Sequence, residues 1–253
     1  MDRRRHVLIL VENLPVPFDA RVWQESLALK DAGYDVSVIC PRGHGEFGAR
    51  RQRLRGIQIY RHPLPLEARG FAAYILEYLA AIYWQFSLAL RIYRKAPFQA
   101  IQACNPPDLS YLVALYFKLF HRVRFVFDHH DLSPELYNAK FGRRDIAYKA
   151  LLFFEGQTFA AADRSIATNE SFRRIAIERD RMPPDRITVV RSGPSLERMY
   201  PVQPNPDWKR GKAFLVAYVG VIGKQEGIEY LLRAARVVRY DLGMGEIDFL
   251  VVG

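Results

Sequence analysis

The stretch FVFDHHDLSPELY, residues 125 to 137, sets two histidines between two aspartates at the end of an apolar, β-rich run. Three chemistries are open to it: metal ligation, acid–base work by an imidazole beside a carboxylate, or a polar strand end with no chemistry. Neighbouring side chains of an extended strand alternate faces, so Asp128, His129, His130 and Asp131 cannot all converge on one ion, and no metal is expected. The same alternation sends His129 to the opposite face from His130, where it reads as a packed or capping residue. Asp131 can fix the tautomer of His130 or cap the turn that follows, because LSPE reads as a helix start with Pro134 at its first position.

These residues need a scaffold, and the hydrophobic pattern supplies one. Strand-like runs at 6–12, 34–40, 57–61, 98–103, 123–128, 164–167 and 187–190 alternate with helix-like stretches at about 18–32, 70–95, 108–120, 145–162 and 169–179. Strands as continuously apolar as HVLILV and RFVF are covered on both faces, which predicts an α/β fold, a doubly wound parallel sheet of the Rossmann-like type. The prolines of YPVQPNPDWKRGK break both kinds of element, so residues 1–200 read as one domain and 201–212 as a linker. A second series follows over 213–253, with a strand at 213–219, a glycine-bearing turn, a helix at 227–240 and a strand at 247–252. One βαβ unit is too little to bury a sheet by itself, so the unit either docks on the first domain or is the start of a longer one.

Composition narrows the classes. The chain has 253 residues, half of them hydrophobic, enough for a sizeable core. Cys40 and Cys104 lack CxxC or histidine spacing, so neither a disulfide framework nor structural zinc is expected, and the cysteine usage suits a reducing cytoplasm. The apolar start, Val7 to Val11, is too short for a signal peptide. A net charge of +10, with Arg50, Arg51, Arg53 and Arg55 clustered and Arg91, Arg94 and Lys95 further on, points to anionic partners or to a solvated basic surface. No zinc-finger, RNP-like or basic heptad pattern is present, and nucleic acid is not an expected partner. The run FAAYILEYLAAIYWQFSLAL, 71–90, is long enough to span a bilayer, but Glu77, Gln85 and its scattered aromatics favour a buried or partly membrane-facing helix.

A nicotinamide-binding Rossmann fold would hold G-x-G-x-x-G in its first turn, and ENLPVPFDARVW has no glycine. Instead the ordered set FDARVWQESLALKDAGYDVSVIC, QACNPPD, DHHDLSPE, ATNESFRRIA, VVRSGP and YVGVIGKQEGIEYLLRAA resembles the family 4 glycosyltransferases, which have a GT-B fold of two facing Rossmann domains. The flavour is similar to that of polysaccharide and O-antigen sugar transferases. The resemblance implies a retaining transfer from a nucleotide-diphosphate sugar to a saccharide or lipid-linked acceptor, with no cofactor and no metal. It implies that His130, followed by Asp131, lies near the donor sugar, where an imidazole can donate to a hydroxyl or hold a proton.

The resemblance also assigns the diphosphate to the turn of the second series, with Gly220 and Gly223 for close backbone approach, Lys224 as the cation and a helix starting near Gln225. The commoner family pattern has an arginine after the first glycine and a lysine before the last; here stand Val221 and Glu226. Arg191, Ser192 and Gly193 are expected to line the donor cleft. On the acceptor side are Asp19, read as a helix cap, Arg21 as an anion contact, Asn105, and Asp108 as a cap of the next helix. The E-x7-E pair Glu170 and Glu178 mimics a family motif in the wrong domain and reads as surface carboxylates pairing with Arg173, Arg174 and Arg179.

The expected setting is cytoplasmic, with peripheral contact to the anionic inner face of the membrane. With so short a second series, this chain alone is expected to turn over donor poorly or not at all. Two other classes remain open at this stage: a non-catalytic acceptor-binding module partnering a separate donor-binding chain, and an epimerase or phosphorylase on the same plan.

Overall fold

The computed structural model describes residues 5–63, 71–106, 108–194, 199–223 and 226–253. The chain divides into two compact units, Met1–Gly193 and Pro194–Gly253.

The first unit alternates strand and helix: β1 His6–Leu10, α1 Ala20–Asp31, β2 Asp35–Pro41, β3 Arg51–Leu54, β4 Ile57–His62, α2 Phe71–Lys95, β5 Ala100–Cys104, α3 Tyr111–His121, β6 Arg124–His129, α4 Ser133–Phe141, α5 Ile146–Ala161, β7 Arg164–Ala167, α6 Glu170–Glu178 and β8 Ile187–Val189. Its eight strands pair in the order β3-β4-β2-β1-β5-β6-β7-β8. Every pairing is parallel except β3 with β4. The doubly wound α/β sheet expected from the continuous apolar runs is therefore present, with one antiparallel edge added.

That edge is the element the pattern of residues 50–55 concealed. Arg51, Gln52, Arg53 and Leu54 form β3, returning through a tight Arg55-Gly56 turn in which both residues take positive φ, 48° and 84°. Only such a turn matches the right-handed twist of two adjacent strands, and glycine makes its second position easy. The arginines look like a loop in sequence because an edge strand tolerates charge on its open side.

The strands alternate between two cores. Leu8, Leu10, Ile101, Phe125 and Phe127 pack with α2, α3 and α5. Val7, Ile9, Val11, Val38 and Ile59 pack with Val22 of α1 on the other face. All of these but Val7 are at most 1% exposed, which is why β1 reads as unbroken hydrophobicity. The 71–90 run lies within α2, and among the described residues no helix is long and apolar enough to cross a membrane.

The second unit carries β9 Phe214–Val219, α7 Ile228–Arg236 and β10 Ile247–Val252, with β9 and β10 parallel and Ile247 opposite Phe214. α7 begins behind Gly227, at Ile228, one residue inside the helix read over 227–240 and three after Gln225, and runs into a π turn at Val237–Asp241. Within the 201–212 stretch, Pro206–Lys209 forms a single 3-10 turn, which a proline at its start permits.

Candidate functional site

β1 sits in the middle of the sheet, with β2 on one side and β5 on the other. At such a switch point the loops leaving the strands diverge to opposite faces, and the crevice beyond their carboxyl ends is where open α/β sheets hold ligands. Here that edge is furnished by the turn into α1, by Asn105 after β5, by His130 after β6 and by residues 190–193 after β8.

Asp19 caps α1, accepting from the Val22 N–H at 3.1 Å. The cap fixes the first turn, and Arg21 extends from it across the crevice. Its Nη2 donates to Asp128 Oδ1 at 2.9 Å and lies 3.1 Å from Glu25 Oε1; its Nη1 donates to Val190 O at 2.8 Å and to Ser192 Oγ at 3.2 Å; its Nε meets His130 Nε2 at 3.0 Å. Both Nη groups of the guanidinium are thus engaged by the protein, so Arg21 is a structural clamp and not the free anion contact its position suggests.

Asp128 lies under the clamp, fully buried. Besides Arg21, Gln102 Nε2 at 2.9 Å and His130 Nε2 at 2.8 Å approach its Oδ2. Burial alone would push this carboxyl up, but the bond and charge of His130, then the bond from Glu25 and the charge of Arg21, win and hold it at about 2. Glu25 goes the other way: burial, then the charge of Asp128, push it up to about 8. At neutral pH the carboxylate pair therefore carries one charge, matched to the single charge of Arg21.

A ring nitrogen carries either one hydrogen or one lone pair, so His130 Nε2 cannot both donate to Asp128 and accept from Arg21. The charge-assisted bond to the carboxylate is the shorter and stronger, and it puts the hydrogen on Nε2. In the neutral ring Nδ1 is then the acceptor, and among the described residues Nδ1 has no hydrogen-bond partner. The His130 side chain is 13% exposed.

Cys104 completes the group, its thiol 3.8 Å from Asp128 Oδ2. Cys104, Asp128 and His130 bring ligand-type atoms within 4.8 Å of one another. They fit a cation poorly: burial raises the Cys104 thiol far above its usual range, and the adjacent guanidinium and Gln102 amide already occupy the carboxylate.

The structure distributes the other sequence-predicted residues as follows. Asn105 is buried and fully used: Oδ1 accepts from the His130 N–H at 2.7 Å and the Asp131 N–H at 3.2 Å, while Nδ2 donates to Asp108 Oδ1 and to Asp131 O. It ties the ends of β5 and β6 together and so holds His130 in place. Asp108 does not cap α3, whose N-cap position is Ser110; it is buried and held by Asn105, and burial pushes it up to about 6. Asp131 neither orients His130 nor caps α4, whose N-cap position is Leu132. Asp128, two residues before His130 on the same face of the strand, does the orienting instead, because strand alternation brings i and i+2 together. Pro134 is the second residue of α4. Ser192 Oγ and Gly193 O accept from Arg21 and Gln24, while Arg191 is exposed and makes no ion pair among the described residues. In the second unit the Gly220 N–H donates to Val252 O at 3.0 Å, and a Cβ on Gly220 would meet the Tyr218 hydroxyl at 2.9 Å. A Cβ on Gly223 would meet nothing within 4 Å. Lys224 and Gln225 lie outside the described residues.

On the opposite face of β6, His129 is fully buried between the rings of Phe127, Phe159 and Phe172. Burial lowers it to about 4, so it is neutral, a packed residue as its place in the strand suggests. Beside it Arg179 pairs with Glu135, Glu155 and Asp180. Arg179 therefore does not serve Glu178, and of the surface pairs expected on α6 only Glu170 with Arg173, at 3.9 Å, forms. The signals for Glu25, Gln102 and Asp128 were present in sequence. Arg21 and Glu25 are one helical turn apart, and Gln102, like Asp128, is a polar residue inside an otherwise apolar strand; such groups are buried only with partners.

The family described as a glycosyl transferase 4-like domain matches residues 19–193. No curated protein sequence matches the chain. Among solved structures, sucrose-phosphate synthase from Thermosynechococcus elongatus is similar with a TM-score of 0.69 at 18% identity, over 99% of this chain and 62% of that one. The catalytic domain of starch synthase IV from Arabidopsis thaliana, bound to ADP and acarbose, gives 0.64 at 11% identity over 99% and 68%. LpCGTa in complex with UDP gives 0.59 at 11% over 99% and 70%. At these identities the likeness shows a shared Rossmann-like GT-B fold, and the chain spans less than two thirds of the length of the synthase.

Proposed function

The chain belongs to the glycosyl transferase 4-like family, and on that premise we propose that it serves the transfer of a sugar, with retention, from a nucleoside-diphosphate donor to a saccharide or lipid-linked acceptor. The observation that carries the reading is His130. It stands at the carboxyl end of β6 beside the switch point, its Nε2 held by Asp128 and its Nδ1 without a partner among the described residues. An imidazole fixed in this way offers one acceptor of set direction, which suits a sugar hydroxyl, and needs no reorganisation when the sugar arrives.

In this reading His130 contacts the donor sugar, and Arg21, Asp128 and Asn105 position it. The diphosphate falls to the Gly220–Gly223 turn and Lys224, since a strand-to-helix turn with glycines presents backbone N–H groups to phosphate. Nucleoside diphosphates are the ligands named for two of the similar structures, UDP for LpCGTa and ADP for the starch synthase. The net charge of +10 suits an anionic donor and an acceptor at a membrane's cytoplasmic face.

Isothermal titration of the 253-residue chain against UDP, ADP, GDP and TDP tests the donor half. One diphosphate is expected to bind at least about tenfold more tightly than the others, a difference of about 1.4 kcal/mol. A flat response across the panel, together with no transfer of radiolabelled sugar, would count against the assignment.

A further inference from the structure

A second site lies away from the switch point. A cavity of about 420 Å³ opens between α2 and the β2–β4–β3 edge of the sheet, a volume typical of small-molecule sites. Six cations line it: Arg42, Arg50, Arg51, Arg61, Arg91 and Lys95. Among the described residues no aspartate or glutamate lines it and none of the six is in an ion pair.

Like charges are not gathered around a hollow without cost, and burial raises that cost. Arg61 is only 3% exposed, and its partners among the described residues, Ala49 O, Val16 O and Gln52 Oε1, are all neutral. Its Nε is buried with no hydrogen bond, as are Arg42 Nε and Nε2 of His62, which is 1% exposed. His62 donates its Nδ1–H to Pro63 O, so its Nε2 is an acceptor, but the two guanidinium nitrogens are buried donors without partners among the described residues and mark a place suited to an acceptor-rich group. An anion with several oxygens satisfies both guanidinium nitrogens, and the planar guanidinium is suited to phosphate.

The cavity is not wholly polar. Trp84, Leu88 and Ile92, on successive turns of α2, form its apolar side. Nearer the start of that helix Leu76, Leu79 and Tyr83 are 67%, 57% and 64% exposed. A phosphorylated sugar alone would leave this apolar wall uncovered.

We propose that this cavity binds the phosphate or diphosphate head of a membrane amphiphile, with the apolar chain leaving along α2. The inference deepens the acceptor half of the proposed function and rests on that reading for the ligand's role. Its test uses no sugar donor, so failure here leaves the transfer reading standing, and failure of transfer leaves this one.

The probe is phosphatidylcholine vesicles with and without phosphatidic acid, a lipid phosphate monoester, floated with the 253-residue chain; sodium pyrophosphate serves as soluble competitor. Binding is expected only with phosphatidic acid. It should weaken by about tenfold in an Arg51→Gln/Arg91→Gln variant, which loses two cations near the surface, and by less than about twofold in Arg53→Gln/Arg55→Gln, which loses the same charge outside the cavity. Thermal melting checks that both variants fold. Equal weakening in the two would overturn the proposal in favour of a diffuse basic surface. Binding of pyrophosphate without any vesicle binding would replace the amphiphile by a soluble phosphate, and no binding of either would remove the site.

Discussion

The two faces of β6 carry a similar set of groups to opposite ends. On one, Arg21, Glu25 and Asp128 surround His130; on the other, Arg179, Glu155 and Asp180 surround His129. Each set has one arginine and one histidine, with two carboxyls around Arg21 and three, Glu135 included, around Arg179, and in each the crowding raises at least one carboxyl, Glu25 to about 8 and Asp180 to about 7. What differs is the reach of the imidazole. His130 is bonded to its carboxylate at 2.8 Å at the rim of the crevice, whereas His129 lies 3.7 Å from Glu155, its ring walled by three phenylalanines and both nitrogens without hydrogen bonds. Similar composition gives an oriented ring at the rim of the crevice on one side and, on the other, a packing element with an ion-pair tie between α4, α5 and the end of α6. Burial and geometry, not residue type, decide which histidine can do chemistry.

Asp128→Ala should break the comparison most severely. It strands the Arg21 guanidinium, which is only 10% exposed on its side chain, and removes the partner of His130. The expected loss is about 3–5 kcal/mol in urea denaturation, with donor binding abolished. Asp128→Asn, which keeps the shape, should cost less.

His130→Ala and His129→Ala should then separate the two faces. The first is expected to weaken binding of the nucleotide-sugar donor by about tenfold, the loss of one hydrogen bond, while leaving stability within about 1 kcal/mol. The second should do the reverse, costing about 2–3 kcal/mol through the cavity left among the rings, with nucleotide affinity nearly unchanged. Parallel titration and denaturation of both variants would refute the assignment if the pattern were exchanged.

A smaller effect follows from Asp180. Burial and then the charge of Glu155 raise its carboxyl from the ordinary 3.8 to about 7, so the folded state binds the proton more tightly than the unfolded chain. Stability must therefore fall as pH rises between those values, and the penalty is fully present above about 7. Asp180→Asn should flatten the slope of melting temperature against pH between 4.5 and 7 relative to the parent protein, a range inside that window. An unaltered slope would place the proton elsewhere.

The finest test is the tautomer. Nitrogen-15 NMR of the neutral His130 ring should find the hydrogen on Nε2, and Asp128→Asn should shift the balance towards Nδ1. A resting Nδ1–H form in the parent protein would mean that Arg21 and not Asp128 holds the ring.

The sequence by itself determined the sheet and its faces. Continuous apolar runs announced buried parallel strands, and strict alternation along β6 separated His130 from His129, because side-chain direction in a strand is a local property of the backbone. Asp19 as a cap was likewise legible, since a cap bonds to the N–H three residues on. What required the tertiary structure were partners distant along the chain. Arg21 closing on Asp128 and Val190, Asn105 holding the residue that follows β6, and Asp128 displacing Asp131 from the role of orienter all depend on which strand lies beside which. So does the basic cavity, assembled from α2, β4, the residue after β2 and an edge strand disguised by its arginines. Local periodicity fixes where a side chain points; only the order of strands in the sheet fixes what it meets there.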